Sequence, residues 1–230
     1  MKKYTFLFVF SALMLLHTGL MAQYSISATT GIHYSNVKTP GINMGVLDYK
    51  AITGWSAGVL VNHDLSPALS IGSGILYSEE GFALREGTQL DVFGLNIAVG
   101  VSARTEVRSI KAPLRLQYHF GRGEGVHPYL AGGFNISYAE SAQLVTRAES
   151  IFDFQLATID IDMGGNAFNR WGIESQIAGG LKINSGDSFY FAELGFSHDL
   201  NDLTDTASTV IDIGLKNYNI GMSVGYGIRF

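Results

Sequence analysis

The chain has 230 residues, 28 glycines, four prolines and no cysteine, and 15% of it is charged, against roughly 25% in soluble domains. The lack of cysteine excludes disulfides, thiolate metal sites, thiol catalysis and a lipid-modified N-terminal cysteine. The formal net charge of −5, with no basic stripe, argues against nucleic acid as a partner.

Residues 1–23 read as a cleavable signal peptide. Lys2 and Lys3 make a positive n-region, Tyr4 to Leu16 an apolar stretch too short to span a bilayer, and Ala22-Gln23 the cleavage site. Removing the two lysines takes the net charge from −5 to −7. Mean hydropathy is only +0.18, and no later apolar run approaches the roughly 20 residues a membrane helix needs. Residues 24–230 then form one domain.

A period of two dominates that domain. Tyr24, Ile26, Ala28, Thr30, Ile32 and Tyr34 share one face of a first strand, and Ser25, Ser27, Thr29, Gly31 and His33 the other. Residues 36–53 read as a loop. Trp55 to Leu65 and Leu69 to Tyr77 make a second and third strand around a tight turn at Ser66-Pro67. Residues 79–105 are a long mixed segment, part strand extension and part loop. Ile110, Ala112, Leu114, Leu116, Tyr118 and Phe120 form the greasy face of a fourth strand, opposite Lys111, Pro113, Arg115, Gln117 and His119.

The Gly-rich turn 121–125 leads to a fifth strand with Val126, Leu130, Phe134, Ile136 and Tyr138 facing outward. Residues 139–169 read as a long acidic loop containing Phe152, Phe154 and Phe168. Trp171 to Ile183 and Tyr190 to Phe196 are strands six and seven, joined by the hairpin signal Asn184-Ser185-Gly186-Asp187. Residues 199–215 are a loop rich in Asp, Asn and Thr. In Tyr218–Phe230 every even position is apolar or aromatic, and every odd one is Asn, Gly, Ser or Arg.

These strands predict an all-β fold: an eight-stranded antiparallel up-and-down transmembrane β-barrel, its last strand closing on its first. One face of most strands carries almost no charge and the aromatics gather toward the strand ends, which is the layout of a membrane strand. Connections alternate long and short. Outer-membrane barrels have short periplasmic turns and long external loops, so both termini are expected in the periplasm.

The chain resembles the PorT-like outer-membrane β-barrel domains of Bacteroidetes-type bacteria. The resemblance rests on Gly31-Ile32-His33-Tyr34-Ser35-Asn36, Ile110 to Gly121 (IKAPLRLQYHFG), Pro128 to Gly133 (PYLAGG) and the terminal Ser223 to Phe230 (SVGYGIRF). That family typically has Asn where this chain has His33, and often an acidic or aromatic residue where it has Lys111. The resemblance implies an eight-stranded outer-membrane barrel, some relatives being linked to protein secretion, and it brings no catalytic residue.

Three constellations bear on chemistry. His33-Tyr34-Ser35-Asn36 is similar to the His-x-Ser-Asn motif of lipid A deacylase barrels, in which a His activates a Ser facing the lipid. Here the alternation turns His33 and Ser35 inward and no Glu follows at a useful distance, so a structural strand end is expected. Lys111, Arg115, Glu174, Lys182, Glu193 and Arg229 all point inward and are expected to pair as a plug in a lumen with room only for side chains. Asp199, Asn201, Asp202 and Asp205 offer oxygen ligands for Ca²⁺ but lack the spacing of a dedicated loop, and read as a solvated loop.

The expectation is therefore a monomeric, non-enzymatic outer-membrane protein with no catalytic, cofactor or metal residues. Its surroundings are outer-membrane lipid and lipopolysaccharide, and a protein partner binds at its outer loops or periplasmic rim. The alternatives are a lipid A-modifying hydrolase using His33 and Ser35, or a narrow small-solute channel.

Overall fold

The structure, a computed structural model, describes residues 24–38, 49–92, 95–121, 123–149, 154–161, 170–201 and 216–230. The signal peptide assigned to residues 1–23 lies outside them. Every described element is a strand: β1 (Tyr24–Lys38), β2 (Tyr49–Asp64), β3 (Leu69–Val92), β4 (Leu95–His119), β5 (Gly125–Glu149), β6 (Phe154–Ile161), β7 (Trp171–Ser185), β8 (Ser188–Asp199) and β9 (Lys216–Arg229). Their order in the sheet is β4-β3-β2-β1-β9-β8-β7-β5-β6, and β4 also pairs with β5. That pairing closes eight of the strands into an antiparallel barrel. The first strand meets the last from Ser25↔Arg229 to Lys38↔Lys216. Closure pairs the backbone of the membrane-spanning part within the sheet, as a strand in lipid requires.

The barrel is polar inside and apolar outside. Ile32, Ile75, Leu114, Leu130, Ile177, Leu194 and Ile220 are all more than half exposed, whereas Lys111, Arg115, Glu174 and Glu193 are buried. Aromatic side chains bound the apolar belt at both ends. Trp55 packs on Tyr77 at 5.6 Å and Tyr138 on Trp171 at 5.1 Å at one level. Tyr118 packs on Phe120 and Tyr190 on Tyr226, each pair at 5.1 Å, at the other. Such girdles sit at the two faces of a bilayer.

The strands are longer than the alternation suggests. β1 runs to Lys38 and β2 begins at Tyr49, so both enter the segment 36–53 read as loop. Residues 79–105 are almost wholly strand, as β3 and β4 continue their pairing out to Val92↔Leu95. In 139–169, β5 reaches Glu149 and β6 returns as a ninth strand, which pairs with Ala142–Ala148 beyond the point where β7 stops at Tyr138↔Trp171. The period was hard to follow there because these parts lie past the girdle, where no lipid demands one greasy face. A register shift at Arg108/Ser109 also places Glu140 out of the ladder.

Connections at the opposite end are short. The β7–β8 hairpin turns on Gly186-Asp187, and Gly186 takes φ 57, a left-handed conformation that glycine adopts without a Cβ penalty.

Candidate functional site

Alternation sends the odd residues of β1, β4, β5, β8 and β9, and the even residues of β3 and β7, into the lumen. There they form layers. Nearest the long hairpins, Lys111 reaches both Glu80 and Glu174, the latter at 2.5 Å. Ser78 Oγ and Asn217 Nδ2 donate to Glu80 at 3.0 and 3.1 Å. Asn135 Nδ2 donates to Glu174 at 3.2 Å and accepts in turn from Gln176 Nε2 at 2.8 Å. Asp199 Oδ2 takes the Asn217 backbone N–H at 3.1 Å. Ser35 of β1 joins it by donating to Asn217 Oδ1, so among the described residues every barrel strand except β2 has a side chain in these bonds. Burying one ammonium between two carboxylates costs desolvation, and the surrounding amides and hydroxyls supply the hydrogen bonds that make it tolerable.

One layer further in, Arg115 pairs with Glu193, which also accepts from Tyr129 Oη at 2.9 Å. Gln117 Nε2 donates to Asn62 Oδ1 at 3.3 Å. The ring of Tyr129 lies across Gly180, where an added Cβ would come within 2.6 Å of Cζ. Phe191 and Phe189 cover Gly225 and Gly227 in the same way. Glycine on one strand thus makes the recess that an aromatic ring from the neighbouring side fills. Cavities of about 130 Å³ and 20 Å³ remain between and beside the two ionic layers.

All six ions assigned to the lumen are there. Lys111 meets Glu174, Arg115 meets Glu193, and Lys182 and Arg229 flank the ring of Phe189 at 3.9 and 5.4 Å. Two further acids, Glu80 and Asp199, are buried in the lumen beside these six. Glu80 follows Ser78 at the same parity on β3, and Asp199 follows Glu193 at the same parity on β8, so continuing the count of two places both inside. Phe189, Phe191 and Tyr129 follow from the same rule.

The proposed solvated loop at Asp199 is corrected: Asp199 is 6% exposed and closes the lumen network. Its neighbour Asn201 extends the sheet instead, accepting from Ile173 N at 2.7 Å and donating to Trp171 O at 2.9 Å. Asp202 and Asp205 lie outside the described residues, as do Phe152 and Phe168. Among the described residues no group of three His, Asp or Glu side chains is arranged to hold a metal ion.

His33 and Ser35 both face the lumen, and they are not paired. His33 Nε2 donates to Glu79 O at 3.1 Å and stands 3.8 Å from Glu80. Ser35 Oγ donates to Asn217 Oδ1 at 2.9 Å and accepts the Gly81 N–H at 3.0 Å, in a site with no exposed surface. The hydroxyl proton is therefore committed to an amide rather than to the imidazole.

A family model described as outer membrane protein beta-barrel domain matches residues 21–205. Among solved structures, Neisserial surface protein A is 11% identical, with 89% of this chain and 97% of that one covered at a TM-score of 0.44. OprG of Pseudomonas aeruginosa is 12% identical over 91% and 96%, at 0.43. Ail, the attachment invasion locus protein of Yersinia pestis, is 15% identical over 91% and 100%, at 0.38. No curated protein matches the chain in sequence.

Proposed function

The chain belongs to the outer membrane protein β-barrel domain family, and we propose that within it this protein is a monomeric, non-catalytic barrel that binds a protein partner through hairpins standing beyond the bilayer. The observation that carries this reading is strand length. A membrane strand needs about 9–11 residues, yet β3, β4 and β5 run 24, 25 and 25. Past Tyr77, β3 continues through Val92, roughly 50 Å of strand at about 3.3 Å per residue. β6 widens the same projection. Paired strand of that length is a rigid display surface.

Two further observations support the reading. The ionic layers cross the lumen from wall to wall, which favours a plug over a channel. The hydroxyl of Ser35 is spent on Asn217, which favours a structural strand end over a lipid A hydrolase. The resemblance to PorT-like domains points to a secretion-associated partner. Loop-length asymmetry supports an orientation with the long hairpins outside the cell and both termini in the periplasm.

Shortening one hairpin tests the proposal. Replacing residues 85–102 with Asn-Gly, between the paired Leu84 and Ala103, leaves the membrane-spanning part intact. The variant should fold and insert, and should lose the partner that wild type retains when captured from outer membranes. Unchanged capture would remove the hairpin's role. Planar-bilayer recording should give no discrete conductance, and lipid A from a deletion strain should keep its acyl pattern.

A further inference from the structure

At the end of the barrel with the short turns, a polar chamber of about 170 Å³ opens from the lumen. Asp64, His119, His127, Lys182, Asn184 and Arg229 line it. They come from β2, β4, β5, β7 and β9, so the chamber is a product of closure and belongs to neither ionic layer above it. Its volume holds several waters or one small oxyanion.

Its electrostatics run against those of the chain. The protein has a net charge of −5, yet Lys182 and Arg229 bring two basic side chains to this one recess, and His119 and His127 two imidazoles. Among the described residues of the lining Asp64 is the one carboxylate, and it accepts from Ser70 Oγ at 2.6 Å. Nearby Glu124 is turned to the backbone, where its Oε1 accepts the Gly186 N–H at 3.1 Å. Asp187 lies in the same β7–β8 turn.

The donors are held in place. Lys182 Nζ stands 3.9 Å over the Phe189 ring and Arg229 Cζ lies 5.4 Å from it. Phe189 is 1% exposed, so this platform is fixed. Asn184 Oδ1 accepts from Arg229 Nη2, one of five N–H donors on a guanidinium, and Asn184 Nδ2 donates to Gly123 O at 2.8 Å. His127 Nε2 donates to Gly123 O at 3.2 Å, and its Nδ1 edge lies against Gly121, where a Cβ would intrude to 2.8 Å. Ser70 Oγ gives its proton to Asp64, so its 3.0 Å contact with His119 Nε2 is made by an imidazole N–H. A guanidinium fork and an ammonium are donors that suit tetrahedral oxyanions.

We propose that this chamber is an oxyanion-binding site that takes a phosphate group, carried either by a lipid headgroup or by a soluble ligand. The site stands apart from the partner-binding hairpins, which lie at the other end of the barrel.

The test uses the full-length barrel folded in octyl glucoside micelles, with folding confirmed by heat-modifiable gel mobility. Inorganic phosphate and dihexanoyl phosphatidic acid are titrated separately by calorimetry, with dihexanoyl phosphatidylcholine as the zwitterionic control. Saturable binding of inorganic phosphate supports the site with a soluble source, and saturable binding of phosphatidic acid alone supports it with a lipid source. Arg229→Gln and Lys182→Gln should each weaken binding about tenfold or more, as loss of a charge-assisted hydrogen bond predicts. Arg108→Gln, which alters a cation paired with Glu79 at the hairpin end, should bind as wild type does. Should Arg229→Gln fail to fold, Lys182→Gln alone gives the same reading. Failure of both probes to saturate overturns the proposal, and so does a loss in Arg108→Gln equal to that in the chamber variants.

Discussion

Lys111 shows what the lumen demands of a single residue. Its side chain is 5% exposed and lies between Glu80 and Glu174, at 11% and 3%. Removing one partner of a buried ion pair costs about 3–5 kcal/mol, because the charge left behind has lost both water and its counterion. Lys111→Met leaves two carboxylates in that state. The variant should lose stability on that scale in urea titrations in lipid vesicles, and Lys111→Met combined with Glu80→Gln and Glu174→Gln should recover most of it. If the single and triple variants unfold at the same urea concentration, the carboxylates are not held by Lys111. Lys111 and Glu174 were legible in the sequence as inward charges because each sits in an unbroken alternation. Glu80 is less legible, since the segment after Tyr77 no longer shows a greasy face, although parity alone reaches it from Ser78. Which carboxylate meets which cation was never legible: pairing across the lumen depends on strand stagger, and alternation carries no information about that.

The strand is the scale at which facing is decided, and β4 is its clearest case. Leu114 and Leu116 are 54% and 49% exposed, while Arg115 and Gln117 are 7% each. Leu114 lies near the middle of the apolar belt, between the levels of Tyr138, which opposes Ile110, and Tyr118. Leu114→Arg should cost about 2–4 kcal/mol, and Leu116→Arg less, as the penalty falls toward the interface. Gln117→Arg enters a polar lumen beside Arg115 and loses the bond to Asn62, so its cost is steric and like-charge. Folding free energy in vesicles orders the three, and a Leu114→Arg variant as stable as wild type would falsify the assignment of the lipid face. This facing could be read directly from the sequence, because lipid on one side and packed polar groups on the other impose a strict period of two. The ends of the elements could not. Beyond the girdles β3, β4 and β5 lie outside the lipid, and one displaced residue at Glu140 is enough to break the count.

For the whole molecule the asymmetry of the connections is the physical handle on which end faces the cell exterior. β3–β4 and β5–β6 project past one girdle, whereas β7–β8 turns at the other end on two residues. A barrel inserting from the periplasm must move one set of connections across the bilayer. In the proposed orientation the large polar hairpins are the set moved outside, with both termini and the proposed oxyanion chamber on the periplasmic side. The chain has no cysteine, so a single introduced thiol reports topology without background. Ala157, exposed on β6, and Gly123, exposed in the β4–β5 turn, mark the two ends. Gly123 adopts φ 122, so Asp187→Cys in the opposite turn is the less strained second marker for that end. With a membrane-impermeant maleimide on intact cells, Ala157→Cys should label, and Gly123→Cys and Asp187→Cys should label only after the outer membrane is opened. The reverse pattern would put the hairpins in the periplasm. Their partner would then have to be sought in that compartment, and the chamber would open to the medium.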